Sequence, residues 1–331
     1  MNILITGGAG FIGSHLSDLL LASGHQVTAF DNLSTGNERN IEHLMANSDF
    51  RLVKGDILNS SDLAGPVAQA DLIYHLAASV GVRYVIDNPV TTLETNTRGT
   101  ANLLTAAREK GGKKVVLASS SEVYGRNPNL PFREDDVLSL GPTSVPRWGY
   151  ACSKMLDEFL ALAHWKESGL PVVILRLFNT VGPRQQGSYG MVLPRMVEQC
   201  LGNQPVTVYG DGSQTRCFAY VGDVTKALME IAVVSEAEGQ VFNLGNDAEI
   251  TINDLAELIK KSLKSGSTIN HVPFESVYGS DFQDIPRRVP DISKIKRYIN
   301  YDPRTELTQV ISELAADINH RNSMKIKSRS S

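Results

Sequence analysis

The stretch Ile3-Leu4-Ile5-Thr6-Gly7-Gly8-Ala9-Gly10-Phe11-Ile12-Gly13-Ser14-His15-Leu16 decides the fold. A short β-branched run stops at a glycine-rich turn, and a helical pattern of apolar residues begins where the turn ends. Gly7, Gly10 and Gly13 stand at G-x-x-G-x-x-G spacing, with Phe11 and Ile12 between the last two. Without Cβ atoms, these positions allow a tight turn and let pyrophosphate oxygens approach a helix N-terminus, whose free N–H groups and dipole favour negative charge. A glycine triplet alone is weak evidence. Here the strand before it, the helix after it and an acid at the end of the next strand all agree. That acid is Asp31, 18 residues beyond Gly13 and followed by Asn32. It is placed to accept hydrogen bonds from an adenosine ribose diol and would repel a 2′-phosphate, so NAD is expected rather than NADP.

Working outward, β-branched runs recur at 26–30, 51–54, 72–76, 113–119 and 172–177, alternating with helical patterns near 12–23, 90–110 and 151–168. Such alternation predicts an α/β fold, a Rossmann-like doubly wound parallel sheet. In the third helix, Met155, Leu156, Phe159, Leu160 and Ala163 share one apolar face. At the end of the third strand Asp56 is placed to accept the adenine amino group, beside Ile57. At the end of the fourth, Leu76, Ala77 and Ala78 let the backbone come close to a dinucleotide, while His75 reads as packing because no metal partner stands at suitable spacing.

After Asn179 the texture changes to turns, a helix near 191–201 and a helix with Asn253 as N-cap and Leu255, Leu258, Ile259 and Leu263 inward. We therefore expect a nucleotide-binding domain over 1–180, with parts of 217–245 returning to it. A smaller α/β substrate-binding region should cover 181–321, and a disordered tail 322–331.

The 331 residues are 42% apolar and 21% charged, ample for a sizeable core. A net charge of −4 and a pI near 6.0 leave no electrostatic footprint for nucleic acid or an anionic membrane. Cys152, Cys200 and Cys217 lack both disulfide-framework numbers and metal-ligand spacing, and Met1 is followed at once by a strand rather than by a leader pattern. These features predict a cytoplasmic protein without metal, membrane or nucleic-acid partners.

Tyr150-Ala151-Cys152-Ser153-Lys154 puts a phenol and an ammonium one helical turn apart on the same face. A lysine there, together with an oxidised nicotinamide, is expected to lower the tyrosine pKa towards use as a base. Ala118-Ser119-Ser120-Ser121-Glu122-Val123-Tyr124-Gly125 supplies a hydroxyl at the carboxyl edge of the sheet, where ligands of such folds bind.

With these motifs in this order, residues 1–320 resemble the extended short-chain dehydrogenase/reductase family, and within it the nucleotide-sugar epimerases, decarboxylases and dehydratases. The resemblance implies that Ser121, Tyr150 and Lys154 form a catalytic triad: Tyr150 takes the proton of a sugar hydroxyl, Ser121 hydrogen-bonds that oxygen and Lys154 holds the nicotinamide ribose. It also implies a UDP-sugar substrate: in one segment Asn179, with Arg184 nearby, meets the nucleotide diphosphate, in a second Tyr209 lines the nucleotide and Arg216 binds the diphosphate, and in a third Arg288 resembles a second phosphate-binding arginine. Arg83, ending the epimerase-like stretch Ala78 to Arg83, joins this set. Family members dimerise through the helices near 90–110 and 151–168, so a homodimer through a four-helix bundle is expected.

Glu122 points to the reaction. By the resemblance, an acid after the serine accompanies chemistry at sugar carbon 5, as in UDP-glucuronate decarboxylation to UDP-xylose. The alternatives are 4-epimerisation, of UDP-glucose and galactose or of UDP-glucuronate and galacturonate, and dehydration, which Ser121 at the usual Asp position disfavours. A non-catalytic NAD-sensing scaffold is the reading from another class.

Overall fold

The computed structural model describes residues 1–187, 191–278 and 284–329. Six strands, β1 (Asn2–Thr6), β2 (Gln26–Asp31), β3 (Phe50–Lys54), β4 (Leu72–His75), β5 (Lys114–Ser120) and β6 (Val172–Leu177), pair in parallel with a seventh at Gln240–Leu244. Their order across the sheet is Gln240–Leu244, β6, β5, β4, β1, β2, β3. The chain thus builds outward from β1 to β3, then crosses back to lay β4 on the other side of β1. Register aligns the carboxyl ends: Thr6 stands opposite both Phe30 and His75, and Ser120 opposite Leu177. In such sheets the crevice above the carboxyl ends, where the order reverses, is the place a ligand can enter.

Both faces of the sheet are covered, so its strands read as unbroken apolar runs. Ile3 and Ile5 point into a core shared with Leu16 and Leu20 of helix α1 (Phe11–Ala22), whereas Leu4 points into the opposite core with Leu103 and Ile174. That second face is covered by α2 (Ser60–Gln69), α4 (Pro89–Glu109) and α5 (Arg147–Ser168), with the short α3 (Val82–Asp87) leading into α4. A separate core joins α6 (Val192–Leu201) and α8 (Ile252–Leu263) to the last helix, Leu307–Arg329, through Leu193, Met196, Leu255, Ile259 and Leu314. Between them, α7 (Val221–Ala232) packs Val224 and Leu228 against the face that α1 covers.

Three local expectations change. Helix α5 begins at Arg147, four residues early, because Pro146, at φ −57°, enters helical space with no N–H left to satisfy. The N-cap of α8 is Thr251, whose Oγ1 accepts from the Asp254 amide at 3.0 Å, while the Asn253 side chain donates to the Asp211 carbonyl at 2.9 Å. Residues 322–329, expected as a disordered tail, continue the last helix. Its first turns are docked by Val310, Ile311 and Leu314, and adding residues to a nucleated helix costs little. Residues 330–331 of that expectation lie outside the described residues.

Helix α5 also turns its polar side inward. Lys154, Asp157 and Glu158 are buried, whereas Phe159 is 65% and Leu156 45% exposed. Glu158 accepts from the Ser119 hydroxyl at 2.5 Å and, through both oxygens, from Arg176 of β6 at 2.8–3.3 Å. The Arg176 guanidinium also lies 4.8 Å over the Tyr124 ring. Removing one member of a buried pair strands the other charge, so Arg176→Met is expected to destabilise the protein by about 3–5 kcal/mol. Urea unfolding measures this. A loss below about 1 kcal/mol would show that the pair does not hold α5 in place.

Candidate active site

The carboxyl ends of the strands open onto a cavity of about 460 Å³ that the separate α6–α8 region also borders. On the strand side, Gly7, Gly10, Phe11, Ile12 and Gly13 line it. Close approach makes these glycines necessary. A Cβ on Gly7, where φ is +73°, would stand 2.8 Å from the Ala77 amide, and one on Gly13 would stand 2.3 Å from the Gly7 carbonyl. The loop, α1 and the end of β4 are therefore packed backbone to backbone. Leu76, Ala77 and Ala78 line the cavity from β4.

Asp31 also lines the cavity, with one oxygen accepting from the Ala9 amide at 3.0 Å and the other from Leu33 at 2.8 Å. Burial raises its carboxyl from the ordinary value, against the pull of those two amides. Gly36, which the sequence reading missed, belongs here as well: a Cβ on it would stand 2.8 Å from both Asp31 oxygens. Asn32 and Ile57 line the cavity, but Asp56 does not. Asp56 sits one step behind, accepting from Asn32 Nδ2 at 3.1 Å and from the Leu58 amide at 2.8 Å. His75 is buried between Thr6 Oγ1 at 2.7 Å and Thr100 Oγ1 at 3.1 Å, and burial, with Lys154 nearby, pushes its pKa down to about 3. It is a neutral packing group. A cradle that any Cβ would fill, next to an anchored carboxylate, fits an adenine dinucleotide.

Tyr150 and Lys154 face the cavity from α5. Lys154 donates to Asp157 at 2.8 Å, both groups being buried. Burial, and next the Glu122 carboxylate, push the Tyr150 phenol above its ordinary value. The expected lowering of the phenol needs the charge of an oxidised nicotinamide as well as that of Lys154, whose ammonium is bonded here to Asp157. The hydroxyl that bonds Tyr150 belongs to Ser120, not to Ser121. Pleating explains the assignment: Ser119 turns to Glu158, Ser120 ends β5 towards Tyr150, and Ser121 starts the 3₁₀ turn Ser121–Tyr124, lining the cavity while 2% exposed.

Glu122 accepts from Arg288 at 2.9 Å and Arg147 at 3.4 Å. Burial alone would raise its carboxyl, but Arg147 and Arg288 outweigh it and hold Glu122 below the ordinary range. Asp284 likewise is held low, against burial, by Arg216 and then Arg147. Asn179, Arg184, Tyr209, Arg216 and Arg288 all line the cavity. Asn179 Nδ2 donates to the Cys217 carbonyl at 3.0 Å, Arg184 pairs with Asp18 of α1 at 2.7 Å, and the Arg195 guanidinium lies 4.2 Å over the Tyr209 ring. Arg83 is outside the lining, donating to Asp87 at 2.8 Å within α3. Ser120, Arg147, Arg195 and Asp284 escaped the sequence reading. Arg147, three residues before Tyr150, was visible as a neighbour on the same helix face. Asp284 had no local signal.

Among the described residues, no cluster of His, Cys, Asp and Glu is arranged to hold a metal. No helix among them is long and apolar enough to cross a membrane. Gly13→Ala is expected to abolish dinucleotide binding and to cost about 1–3 kcal/mol of stability, as overpacking usually does. Titration with NAD and a parallel thermal melt check both, and undiminished NAD affinity would show that the loop has room to spare.

The family model described as GDP-mannose 4,6 dehydratase matches residues 4–314. The UDP-N-acetyl-alpha-D-glucosaminuronate decarboxylase of Bacillus cytotoxicus is 43% identical over 311 residues, 94% of this chain and 95% of the relative. UDP-glucuronic acid decarboxylase 1 of Danio rerio is 39% identical, covering 94% of this chain and 71% of its own. Among solved structures, a UDP-glucuronic acid 4-epimerase from Bacillus cereus, in complex with UDP-glucuronic acid and NAD, superposes with a TM-score of 0.87 at 30% identity, covering 97% of this chain and 99% of that one. The family match thus spans nearly the whole length, and the chain belongs to the GDP-mannose 4,6 dehydratase family of extended short-chain dehydrogenase/reductases.

Proposed function

We propose that this protein is an NAD-dependent enzyme of UDP-sugars that decarboxylates a UDP-hexuronate, UDP-glucuronate or its 2-acetamido counterpart, through a 4-keto sugar. The observation that carries this reading is Glu122, buried beside Tyr150 and bonded to two guanidinium groups that come from residues far apart in sequence. Inversion at carbon 4 has no need of such a charged group beside the phenol, whereas loss of a carboxylate from carbon 5 does. The two decarboxylases among the relatives support it.

Residues 1–180, with 217–245, hold the cofactor, and 181–321 the nucleotide sugar. Bound NAD supplies a hydride acceptor, and later donor, facing sugar carbon 4. Tyr150 takes the proton of the 4-hydroxyl, and the Ser120 hydroxyl, its hydrogen-bond partner, steadies the same oxygen. With carbon 4 a ketone, the carboxylate on carbon 5 is β to a carbonyl. The carbon–carboxylate bond breaks, its electron pair passes into an enolate, carbon dioxide leaves and carbon 5 takes a proton. Arg147 and Arg288 balance the anionic carboxylate and enolate beside Glu122. As the ketone is reduced, Tyr150 returns its proton to oxygen 4. A second reading, 4-epimerisation, is favoured by the likeness to the UDP-glucuronic acid 4-epimerase.

A homodimer also fits. Helices α4 and α5 lie side by side and leave Val90, Leu93, Leu156 and Phe159 exposed, a face that a second copy covers as a four-helix bundle. The three cysteines are free, two of them buried, which suits a cytoplasmic, reducing setting. Light scattering at micromolar protein is expected to give a dimer for the parent and a monomer for Phe159→Asp; a monomeric parent overturns the bundle.

The reaction is tested by mixing the NAD-loaded protein with each UDP-hexuronate and following carbon dioxide and nicotinamide absorbance together. Carbon dioxide is expected from the parent. Tyr150→Phe should lose about 10²–10⁴-fold in turnover while keeping NAD. Glu122→Gln should stop carbon dioxide release and leave reduced nicotinamide accumulating. A parent that only inverts carbon 4, with Glu122→Gln equally active, replaces this reading with the epimerase.

A further inference from the structure

Five charged groups form an alternating row across the cavity, Arg216, Asp284, Arg147, Glu122 and Arg288, the arginines buried and the two carboxylates partly so. Both Asp284 oxygens accept from Arg216 Nη2, at 2.8 and 3.0 Å, and one also accepts from Arg147 at 3.0 Å. Glu122 then joins Arg147 at 3.4 Å to Arg288 at 2.9 Å. The row carries three positive and two negative charges. Its members come from the end of β5, the first turn of α5, the strand Thr215–Cys217 and the segment 284–288. In that row, Asp284 alone touches both Arg216 and Arg147.

We infer that Asp284 is a positioning residue that couples the diphosphate subsite at Arg216 to the reacting end of the sugar at Arg147 and Glu122. The inference rests on the reading above that Arg216 meets the substrate diphosphate. Arg216 Nη1 is committed to the carbonyls of Thr215 and Pro286, at 2.7 and 3.3 Å, so an arriving phosphate must compete with Asp284 for Nη2. As phosphate takes Nη2, the Asp284 carboxylate is left to Arg147. Arg147 touches Asp284 at 3.0 Å and Glu122 at 3.4 Å, and with the nucleotide end seated it no longer shares Asp284 with Arg216, which fixes its place beside Glu122. Part of the nucleotide's binding free energy goes into ordering the sugar end instead of into affinity.

This device has a signature that a merely structural carboxylate lacks: neutralising it strengthens nucleotide binding while weakening turnover. In the NAD-loaded protein, Asp284→Asn is expected to bind UDP about tenfold more tightly, the size of one screened charge contact at a cavity edge. Its kcat should fall about 10–100-fold, as misplacing a positioning group does. Asp284→Glu, which keeps the charge, should return UDP affinity to the parent value. UDP affinity is read by calorimetry and needs no assumption about which reaction follows. UDP binding that is unchanged or weaker in Asp284→Asn, or loss of NAD binding and melting temperature in that variant alone, overturns the coupling. Arg216→Lys separates the two layers: it should weaken UDP at least about tenfold, and if it does not, the diphosphate reading of Arg216 fails whatever Asp284 does.

Discussion

The structure depends on burying one polar face of α5. Arg147, Tyr150, Lys154 and Glu158 recur at intervals of three and four residues, so they form one line along the helix, pointing at the sheet rather than at solvent. A buried charge without a partner costs several kcal/mol, and each member of this line has one. Arg147 meets Asp284 and Glu122, Tyr150 meets Ser120, Lys154 meets Asp157, and Glu158 meets Ser119 and Arg176. Most of these partners sit at or just beyond the carboxyl ends of β5 and β6. The requirement to satisfy α5 therefore fixes its height above those strands, and with it the position of the phenol over the cavity.

Two unlike solutions to anion binding then face each other. On the β1 side, the N-terminus of α1 offers backbone donors, and the absence of side chains at Gly7 and Gly13 is what lets anything approach them. On the other side, guanidinium groups are carried inward on long side chains and held apart by carboxylates. A protein of net charge −4 can hold an anionic ligand in this way because attraction within the cavity is local, and the bulk charge is screened beyond about 10 Å.

What was legible in the sequence follows from how far apart the determining residues lie. The glycine loop and Asp31 are a local pattern enforced by backbone sterics, and the Tyr150–Lys154 spacing needs only one helix. Three serines in a row are alike in sequence, and only the pleat of β5 says that Ser120 is the one that turns towards the phenol. Asp56 accepts from Asn32 and from the Leu58 amide while its neighbour Ile57 lines the cavity, an alternation that the sequence alone does not fix. The apolar stripe of α5 was legible, but not the direction it faces, and Leu156 and Phe159 are exposed. The row from Arg216 to Arg288 was invisible as a unit. Glu122 and Arg288 are 166 residues apart and meet only after the chain has completed the sheet and returned.

That long return makes the arrangement selective. In the structure Arg147 is shared between Glu122 and Asp284, Arg288 is bonded to Glu122, and the buried Arg288 Nε finds no acceptor among the described residues. On the proposed reading, a hexuronate would bring a further carboxylate beyond Arg288, where its charge completes the alternation instead of opposing it. The same carboxylate, once β to a ketone, is the group whose departure removes that charge. The site is then left with a surplus of positive charge beside the enolate, where the developing anion needs it. On the proposed decarboxylase reading, recognition of the acid and stabilisation of its loss would fall to the same two arginines, with Glu122 tempering their hold on the acid.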